Sequence, residues 1–327
     1  MSIVLRVLSE VSGLTMFDVR RIVISAPKRY KTYLIPKRSG GLREIAQPAR
    51  EVKILQRIFV GRFLSQMPVH QCAMAYREKT SILHNAVAHS GVGRPILKMD
   101  FKNFFPSLRD SDWIHYCRHN GVAFTEEDLE LSARLLFRQV PGARSLRLAI
   151  GAPASPHLSN ILMFEFDTLV NDYALTEKII YSRYADDLTF SSSRTGFLTG
   201  VRKKIDSIIK KLDNPRLIVN ESKTVLATAK HKRIVTGLVL TNDGSVTIGR
   251  DRKRLIHSAV HRASMGQLNP GQLQELCGFL GHIYAVEPSF LDTLRKKYGS
   301  DVIEKIQRTE RLSRDQLPSG NMSLFDH

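Results

Sequence analysis

Two aspartates stand side by side in the stretch IIYSRYADDLTFSSS, residues 179–193. Apolar and polar residues alternate on both sides, which predicts a tight β-hairpin with Asp186 and Asp187 at its turn. Adjacent carboxylates repel each other, so keeping both ionised costs free energy unless a cation offsets their charge. Hard divalent cations prefer carboxylate oxygens, which makes the pair a candidate ligand set. An ordinary aspartate-containing turn is the alternative interpretation.

A third carboxylate occurs in a similar setting. The stretch RPILKMDFKNFFPSL predicts an apolar strand that ends on Asp100 and runs into an aromatic turn. Strand ends from one sheet can converge, and three carboxylates at one edge could hold two metal ions about 4 Å apart. Such a pair of ions activates an attacking hydroxyl and stabilises the leaving oxygen in phosphoryl transfer. The pattern therefore predicts polymerisation or cleavage of nucleic acid.

The elements that must position these carboxylates follow from periodicity and from turn residues. A Ser39-Gly40-Gly41 turn separates two extended runs, and an amphipathic helix with a basic face follows at residues 49–66. The remaining predicted helices cover residues 2–10, 16–25, 110–120, 125–139, 156–173 and 197–212, and the later strands cover 216–219, 224–229, 233–240 and 245–248. This order predicts an α+β fold, with helices on one face of an antiparallel sheet. Residues 250–311 are expected to be purely helical.

The charge distribution favours a polyanionic partner. The chain of 327 residues has 49 Lys and Arg against 31 Asp and Glu, a net charge of +18. Residues 1–99 alone contain 17 basic and 5 acidic side chains, so the excess is concentrated near the N-terminus. Neutralising phosphates with such a surface releases condensed counterions, which favours nucleic acid. A basic surface that serves only solubility is the alternative.

Composition also excludes several classes of protein. A hydrophobic fraction of 43% fits a globular fold, and no run of about 18 apolar residues could span a bilayer. The N-terminal stretch has no pattern of a secretory signal, so we expect a cytoplasmic protein without membrane contact. The three cysteines are far apart and odd in number, which argues against a disulfide framework.

The motifs resemble those of reverse transcriptases. YADD is similar to the catalytic motif of that family, and KMDFKNFFPSL, GAPASPHLSN, LIVNESKT and VTGLVL follow in the order of its palm motifs. The resemblance implies a right-hand polymerase fold. Its expected parts are N-terminal helices and fingers at 1–93, a palm at 94–249 with inserted fingers helices near 110–150, a helical thumb at 250–312 and a mobile tail at 313–327.

The resemblance also implies roles for particular residues. Asp100, Asp186 and Asp187 would be the catalytic carboxylates and would hold two Mg²⁺ ions, with the backbone carbonyl of Phe101 as an added ligand. Phe105 falls at the position of the steric gate, where its ring would exclude a ribose 2′-OH and favour deoxynucleotides. A core aromatic residue is the alternative for Phe105.

Further positions match the nucleotide-binding residues of the family. Gly151 would let the backbone approach the incoming nucleotide, because no side chain stands in the way. Lys37 and Arg43 match the fingers residues that grip the triphosphate, and an arginine offers a bidentate fork. Lys223 matches a lysine near the pyrophosphate, as a candidate general acid. A solvated surface charge is the alternative for each of these three basic residues.

Two further strings are similar to motifs of bacterial retron reverse transcriptases. NAVAH matches the NAxxH motif, in which Asn85 and His89 lie four residues apart on one helix face. VTG, which is expected to continue a plain strand, matches a motif of the same name. The candidate RNA-binding residues are Asn85, His89, Val235, Thr236, Gly237, Arg250 and Arg254.

The retron resemblance implies a specific reaction and a set of partners. The enzyme would bind a structured noncoding RNA from its own locus, start DNA synthesis at a guanosine 2′-OH and form a branched RNA–DNA hybrid called msDNA. A separate effector protein in antiphage defence and a host RNase H are implied. The tail string NMSLF resembles peptides that dock on sliding clamps. The alternatives are another bacterial reverse transcriptase similar to those of group II introns, or a scaffold within a ribonucleoprotein.

Overall fold

The computed structural model describes residues 2–37 and 40–309. The helices are α1 (Ile3–Ser12), α2 (Met16–Ser25), α3 (Arg50–Arg62), α4 (Ile82–Ala88), α5 (Phe104–Ser107), α6 (Asp110–His119), α7 (Glu126–Leu136), α8 (Ser155–Leu162), α9 (Phe164–Thr176), α10 (Val201–Lys211), α11 (Arg250–Ser264), α12 (Pro270–Val286), α13 (Pro288–Tyr298) and α14 (Ser300–Gln307). The strands are β1 (Tyr30–Pro36), β2 (Leu42–Pro48), β3 (Ile96–Asp100), β4 (Ile180–Tyr184), β5 (Asp187–Ser191), β6 (Val225–Ala227), β7 (Arg233–Val235), β8 (Leu238–Leu240) and β9 (Val246–Thr247). The expected α+β class is confirmed.

The described residues form two compact units. Unit 1 comprises residues 2–37, 40–81 and 95–227, and unit 2 comprises residues 82–94 and 228–309. The expected boundaries at residues 93 and 249 do not coincide with this division, because α4 packs on strands β7 to β9 and these elements group with the C-terminal helices. The names fingers, palm and thumb for particular ranges stay a prediction. The expected tail at 313–327, with its clamp-like string NMSLF, lies outside the described residues.

Unit 1 is built around an antiparallel sheet with the strand order β4-β5-β3-β6. Strand β3 lies between two partners and is an apolar run, as expected of a strand that is covered on both faces. A separate hairpin, β1 and β2, flanks the turn at residues 40–41. The core of the unit continues into the helices, where Trp113 and Phe166 are fully buried.

Three expected elements differ from the structure. The helix expected at 156–173 is two helices, α8 and α9, because the backbone at Met163 departs from helical geometry. The strand expected at 216–219 is reduced to an isolated bridge between Val219 and Phe101. The strand expected at 233–240 is a hairpin that turns at Thr236 and Gly237, where both φ angles are positive, at 46° and 82°.

Unit 2 combines a three-stranded sheet, in the order β7-β8-β9, with the helices α4 and α11 to α14. The expected helical character of the chain after residue 250 is confirmed as far as residue 307. Asn269 caps α12 by accepting a hydrogen bond from the backbone N–H of Gln272. No helix in the described ranges is both long enough and apolar enough to cross a membrane.

One buried carboxylate fastens the starts of two helices in unit 1. The side chain of Asp128 accepts hydrogen bonds from the backbone and hydroxyl of Thr125, at 3.1 and 2.7 Å, which completes a capping box on α7. It also accepts from the Ser2 hydroxyl at 2.5 Å and from the Val4 backbone at 3.0 Å, at the start of α1. Burial raises the pKa of Asp128, but these hydrogen bonds outweigh it and leave the pKa below its usual value.

Replacing this carboxylate tests its contribution to stability. We expect Asp128→Ala to lower the free energy of unfolding by about 2 to 3 kcal/mol, because it leaves several buried donors without an acceptor. A lowered pKa means that the stabilisation is present above about pH 4 and disappears as the pH falls through the pKa of the folded state. Urea unfolding at several pH values measures both effects.

The matched control is Glu126→Ala, in the exposed first turn of the same helix, where Glu126 pairs with exposed Arg118. It should change the free energy of unfolding by less than about 0.5 kcal/mol. Equal effects of the two substitutions would contradict the assignment of Asp128 as a shared cap.

Candidate active site

The YADD stretch forms the expected tight hairpin. Tyr184 and Asp187 are the last paired residues of β4 and β5, so the connecting turn contains only Ala185 and Asp186. Ala185 has a φ of 56°, the left-handed conformation that two-residue hairpin turns need. A residue with a Cβ atom adopts this conformation at a cost of about 1 to 2 kcal/mol. The surrounding contacts must therefore hold the turn.

Strand pairing brings the third carboxylate to the same place. Asp100, at the end of β3, lies directly opposite Asp187 in the register between β3 and β5. The next backbone N–H, that of Phe101, donates a hydrogen bond to the carbonyl of Asp186 at 3.2 Å. The expected convergence of the three aspartates at one edge of the sheet is thus present in unit 1.

Asp186 and Asp187 are costly to ionise in their positions. Burial raises the pKa of Asp186 to about 6, and repulsion from Asp187 and Asp100 adds to the rise. The pKa of Asp187 is also raised, first by burial, and the nearby Lys98 opposes the rise. A bound cation would remove this repulsion.

Lys223 is the nearest basic group to this cluster. Its Nζ atom lies 2.9 Å from Oδ2 of Asp100, while half of its side chain stays exposed. The hydrogen bond to Asp100 is the main cause that raises the pKa of Lys223, and burial opposes it. Lys223 therefore acts as the counter-ion of Asp100 in this structure. The expected place of Lys223 near the pyrophosphate, as a candidate general acid, stays a prediction.

The donor set suits a hard divalent cation. The cluster offers only oxygen ligands, and their mutual repulsion favours a compact positive charge. Reverse transcriptases generally use divalent metal ions. Within residues 2–37 and 40–309, no three His, Cys, Asp or Glu side chains already stand in the arrangement of a metal site. The ion pair with Lys223 occupies Oδ2 of Asp100 in this structure.

A cavity of about 340 Å³ opens beside the residues expected to bind nucleotide. The half-buried ring of Phe105 lines it, 6.5 Å from the ring of Tyr76 in an edge-on arrangement. Gly151 also lines the cavity. Its φ is 112°, and an added Cβ would lie 3.1 Å from the carbonyl oxygen of Ala46. Close packing against β2 therefore requires the glycine, whatever approaches from the cavity.

The same cavity contains residues that the sequence analysis did not identify. Lys53 and Arg57 lie one turn apart on α3 and both line it. Tyr76 has a φ of 61°, and burial together with the nearby Asp186 raises the pKa of its phenol. The basic face of α3 was a visible signal for Lys53 and Arg57, whereas no local pattern marked Tyr76.

Lys37 and Arg43 occupy the outer part of the hairpin formed by β1 and β2, where both side chains are exposed. Arg43 lowers the pKa of Tyr76, although burial dominates and raises it. The charge of Arg43 thus interacts with Tyr76, a residue that lines the cavity. Contact of Lys37 or Arg43 with a triphosphate stays a prediction.

The two retron-type motifs meet inside unit 2. Asn85 and His89 are fully buried, so neither side chain presents itself to a solvent-borne RNA in this conformation. The Thr236 hydroxyl donates a hydrogen bond of 2.9 Å to the carbonyl of Ile82 at the start of α4. The VTG string is therefore a turn attached to the NAxxH helix. The expected plain strand at VTG is wrong, because Thr236 and Gly237 both have positive φ.

The remaining candidate RNA-binding residues differ in exposure. Val235 is buried in the sheet of unit 2. Arg250 and Arg254 lie one turn apart near the start of α11 and are exposed. Their geometry is compatible with contact to a phosphate backbone, and the contact itself stays a prediction.

Comparison with known proteins shows the family of the chain. Residues 35–283 match the family described as reverse transcriptase (RNA-dependent DNA polymerase). A telomerase from Candida albicans has a similar fold, with a TM-score of 0.50 at 14% identity, over 87% of this chain and 57% of that chain. The chain therefore belongs to the reverse transcriptases and is an RNA-directed DNA polymerase with a right-hand polymerase fold.

Curated relatives narrow the family. The chain is 36% identical to the retron Ec83 reverse transcriptase of Escherichia coli over 89% of its own length and 94% of that protein. It is 29% identical to the retron Ec86 reverse transcriptase of the same organism over 91% of each chain. The chain thus belongs to the bacterial retron reverse transcriptases.

The buried His89 predicts a specific response to acid. Burial lowers the pKa of His89 to about 3, and the nearby Arg94 adds to this effect. The unfolded chain takes up a proton below about pH 6.5 that the folded chain does not, so stability falls as the pH falls. We expect this one group to remove about 2 kcal/mol of stability between pH 7 and pH 5.

Urea unfolding of His89→Gln measures this loss. The variant should lose about 2 kcal/mol less than the unaltered protein over the same pH interval, whatever its stability at pH 7. His84→Gln, at an exposed position on α4, which ends one residue before His89, is the control and should follow the unaltered protein. Parallel pH profiles for all three proteins would contradict the prediction.

Proposed function

We propose that this polymerase binds a cognate structured noncoding RNA and starts DNA synthesis from a guanosine 2′-OH of that RNA, producing branched msDNA. The observation that carries the proposal is Asp100 opposite Asp187 at the sheet edge, in a chain 36% identical to a retron reverse transcriptase. The net charge of +18 supports binding of a long polyanion.

Asp100, Asp186 and Asp187 hold two Mg²⁺ ions in this proposal, with the backbone carbonyl of Phe101 as a further ligand. When bound, the ions lower the pKa of the attacking hydroxyl and neutralise charge on the departing pyrophosphate. The protein supplies only oxygen ligands at this edge of the sheet, and the register between β3 and β5 fixes the positions of Asp100 and Asp187 relative to each other. Lys223 exchanges its contact with Asp100 for a contact with the phosphates.

The nucleotide-binding residues of the proposal are Lys37, Arg43, Phe105, Gly151 and Lys223, and the substrates are dNTPs. The position of Phe105 and Gly151 on one cavity supports this grouping. Phe105 there limits the space for a ribose 2′-OH, and Arg43 provides a fork for the triphosphate. Lys53, Arg57 and Tyr76 belong to the same cavity and are further candidates.

Recognition of the cognate RNA involves the turn at Val235, Thr236 and Gly237 and the exposed side chains of Arg250 and Arg254. The burial of Asn85 and His89 supports an indirect role, in which they support the helix to which the turn is attached. The proposed setting is the bacterial cytoplasm, in antiphage defence, with a separate effector protein. A host RNase H removes template RNA, and a sliding clamp is a further candidate partner.

Asp186→Asn tests the catalytic assignment. With a primed RNA template, dNTPs and Mg²⁺, we expect DNA product to fall below about 1% of that made by the unaltered protein, because one metal-binding charge is lost. Retention of the RNA in gel-shift titrations should be unchanged, since the basic surface is intact.

Asp172→Asn is the matched control, because Asp172 is exposed on α9 in the same unit. It should keep the activity of the unaltered protein. Full product formation by Asp186→Asn would refute the carboxylate assignment. Digestion of the product with an RNA-debranching enzyme tests the 2′-linkage, and a product that does not change in size would refute the proposed priming.

A further inference from the structure

A buried ionic network lies directly behind the catalytic hairpin. Arg183, on β4, and Asp167, on α9, form an ion pair with both side chains at 0% exposure and 2.6 Å between Nη2 and Oδ2. Nε of Arg183 donates to both oxygens of Asp167, at 2.9 and 3.1 Å. The hydroxyl of Tyr181 donates to the same carboxylate at 2.7 Å.

The remaining donors of Arg183 point toward the turn. Nη1 donates to the carbonyl of Ala185 at 3.1 Å and to the side-chain oxygen of Asn160 at 3.1 Å. Ala185 is the residue with positive φ, immediately before Asp186. The guanidinium thus contacts the strained peptide from which the first catalytic carboxylate projects.

The same arginine also fixes the wall of the nucleotide cavity. Its backbone N–H donates to the carbonyl of Cys72 at 2.8 Å, and its carbonyl accepts from Met74 at 2.7 Å. Asn160 donates to the carbonyl of Ala75 at 2.8 Å. Tyr76, which follows directly, lines the cavity opposite Phe105. The backbone of β4 therefore pairs with the segment that ends at Tyr76, and Asn160 links that segment to the guanidinium of Arg183.

Stability alone is a poor explanation for this network. Removing two charges from water costs several kcal/mol per ion, and buried pairs can often be replaced by apolar residues without loss of stability. A fork with fixed geometry, however, can hold a carbonyl in one position, which a flexible ammonium cannot do equally well. The left-handed conformation at Ala185 needs such a contact because its cost is otherwise uncompensated.

We propose that Arg183 is a positioning residue for the polymerase reaction: its guanidinium, held by Asp167 and Asn160, fixes the Ala185 carbonyl so that Asp186 and Asp187 face Asp100 in the geometry needed to bind metal ions. This inference rests on the proposed metal-binding role of the three aspartates. It assigns to Arg183 no contact with substrate.

Arg183→Lys is the primary test, because it keeps a positive charge beside Asp167 and loses the fork that reaches Ala185. We expect kcat for dNTP incorporation to fall about 10- to 100-fold with little change in KM for dNTP or in RNA affinity. The dissociation constant of Mn²⁺ alone, measured by electron paramagnetic resonance on protein without nucleic acid, should rise about tenfold.

Tyr181→Phe is the matched control. It removes a different hydrogen bond to the same carboxylate and leaves the contact between Arg183 and Ala185 in place. It should lower the melting temperature while kcat and Mn²⁺ affinity stay within about threefold of the unaltered protein. If Tyr181→Phe lowers kcat and Mn²⁺ affinity as much as Arg183→Lys does, the network is merely structural and the inference is overturned.

A second variant covers the case in which Arg183→Lys fails to fold, as judged by circular dichroism. The double substitution Arg183→Met with Asp167→Leu removes both buried charges together, which preserves folding more often than removal of one. It should show the same loss of kcat and Mn²⁺ affinity. Values equal to those of the unaltered protein would overturn the inference.

The Mn²⁺ measurement separates this inference from the proposed function. If the unaltered protein binds Mn²⁺ but makes no msDNA, the proposed function fails, and the comparison of Mn²⁺ affinities still tests Arg183. If msDNA is formed equally well by Arg183→Lys with unchanged Mn²⁺ affinity, the proposed function stands and the positioning role fails.

Discussion

The pairing of β3 with β5 is the constraint that brings the three aspartates to one edge of the sheet. Residues 96–100 run antiparallel to residues 187–191, and this register places Asp100 opposite Asp187. A slip of one residue would turn every side chain of β3 to the other face of the sheet, which would move Lys98 and Asp100 into the apolar packing of Leu97 and Met99. Burial of Leu97 and Met99 therefore fixes the position of Asp100. The same register therefore satisfies both the packing of the core and the geometry of the site.

That register also brings three carboxylates together, and their mutual repulsion is offset by nearby basic side chains. The pKa of Asp186 rises to about 6 because the carboxyl is buried and has acidic neighbours. Lys223 neutralises Asp100 on the open side. On the buried side, the charges of Arg183 and Asp167 compensate each other, so the hairpin gains a rigid support without adding net charge. The edge that carries the three aspartates thus remains accessible to cations, while the ion pair behind it is buried from solvent.

Unit 2 shows how a motif can be read incorrectly from its local pattern. Val235, Thr236 and Gly237 continue an apolar run, which is typical of a strand, yet the chain reverses at Thr236 and Gly237. A β-branched residue at a φ of 46° is unusual, and the hydrogen bond from its hydroxyl to Ile82 stabilises it. That bond joins segments distant in sequence. Asn85 and His89 of the NAxxH motif are buried in the core of the same unit.

The sequence by itself determined the features that depend on near neighbours along the chain. Alternation on both sides of Asp186 and Asp187 fixed the hairpin, the apolar run before Asp100 fixed a strand end, and Thr125 with Asp128 fixed a helix start. The order of the motifs fixed the family.

Only the tertiary structure decided the contacts between distant segments. These include the register that sets Asp100 against Asp187, the contact of Lys223 with Asp100 and the attachment of residues 82–94 to unit 2. They also include the need for glycine at 151, which arises from packing against β2. The contacts of Arg183 with Asp167 and Ala185 belong to the same group, because no local pattern indicated them. The physical reason is that periodicity records which face of an element is buried, whereas the partner of that face is chosen by the packing of the whole core.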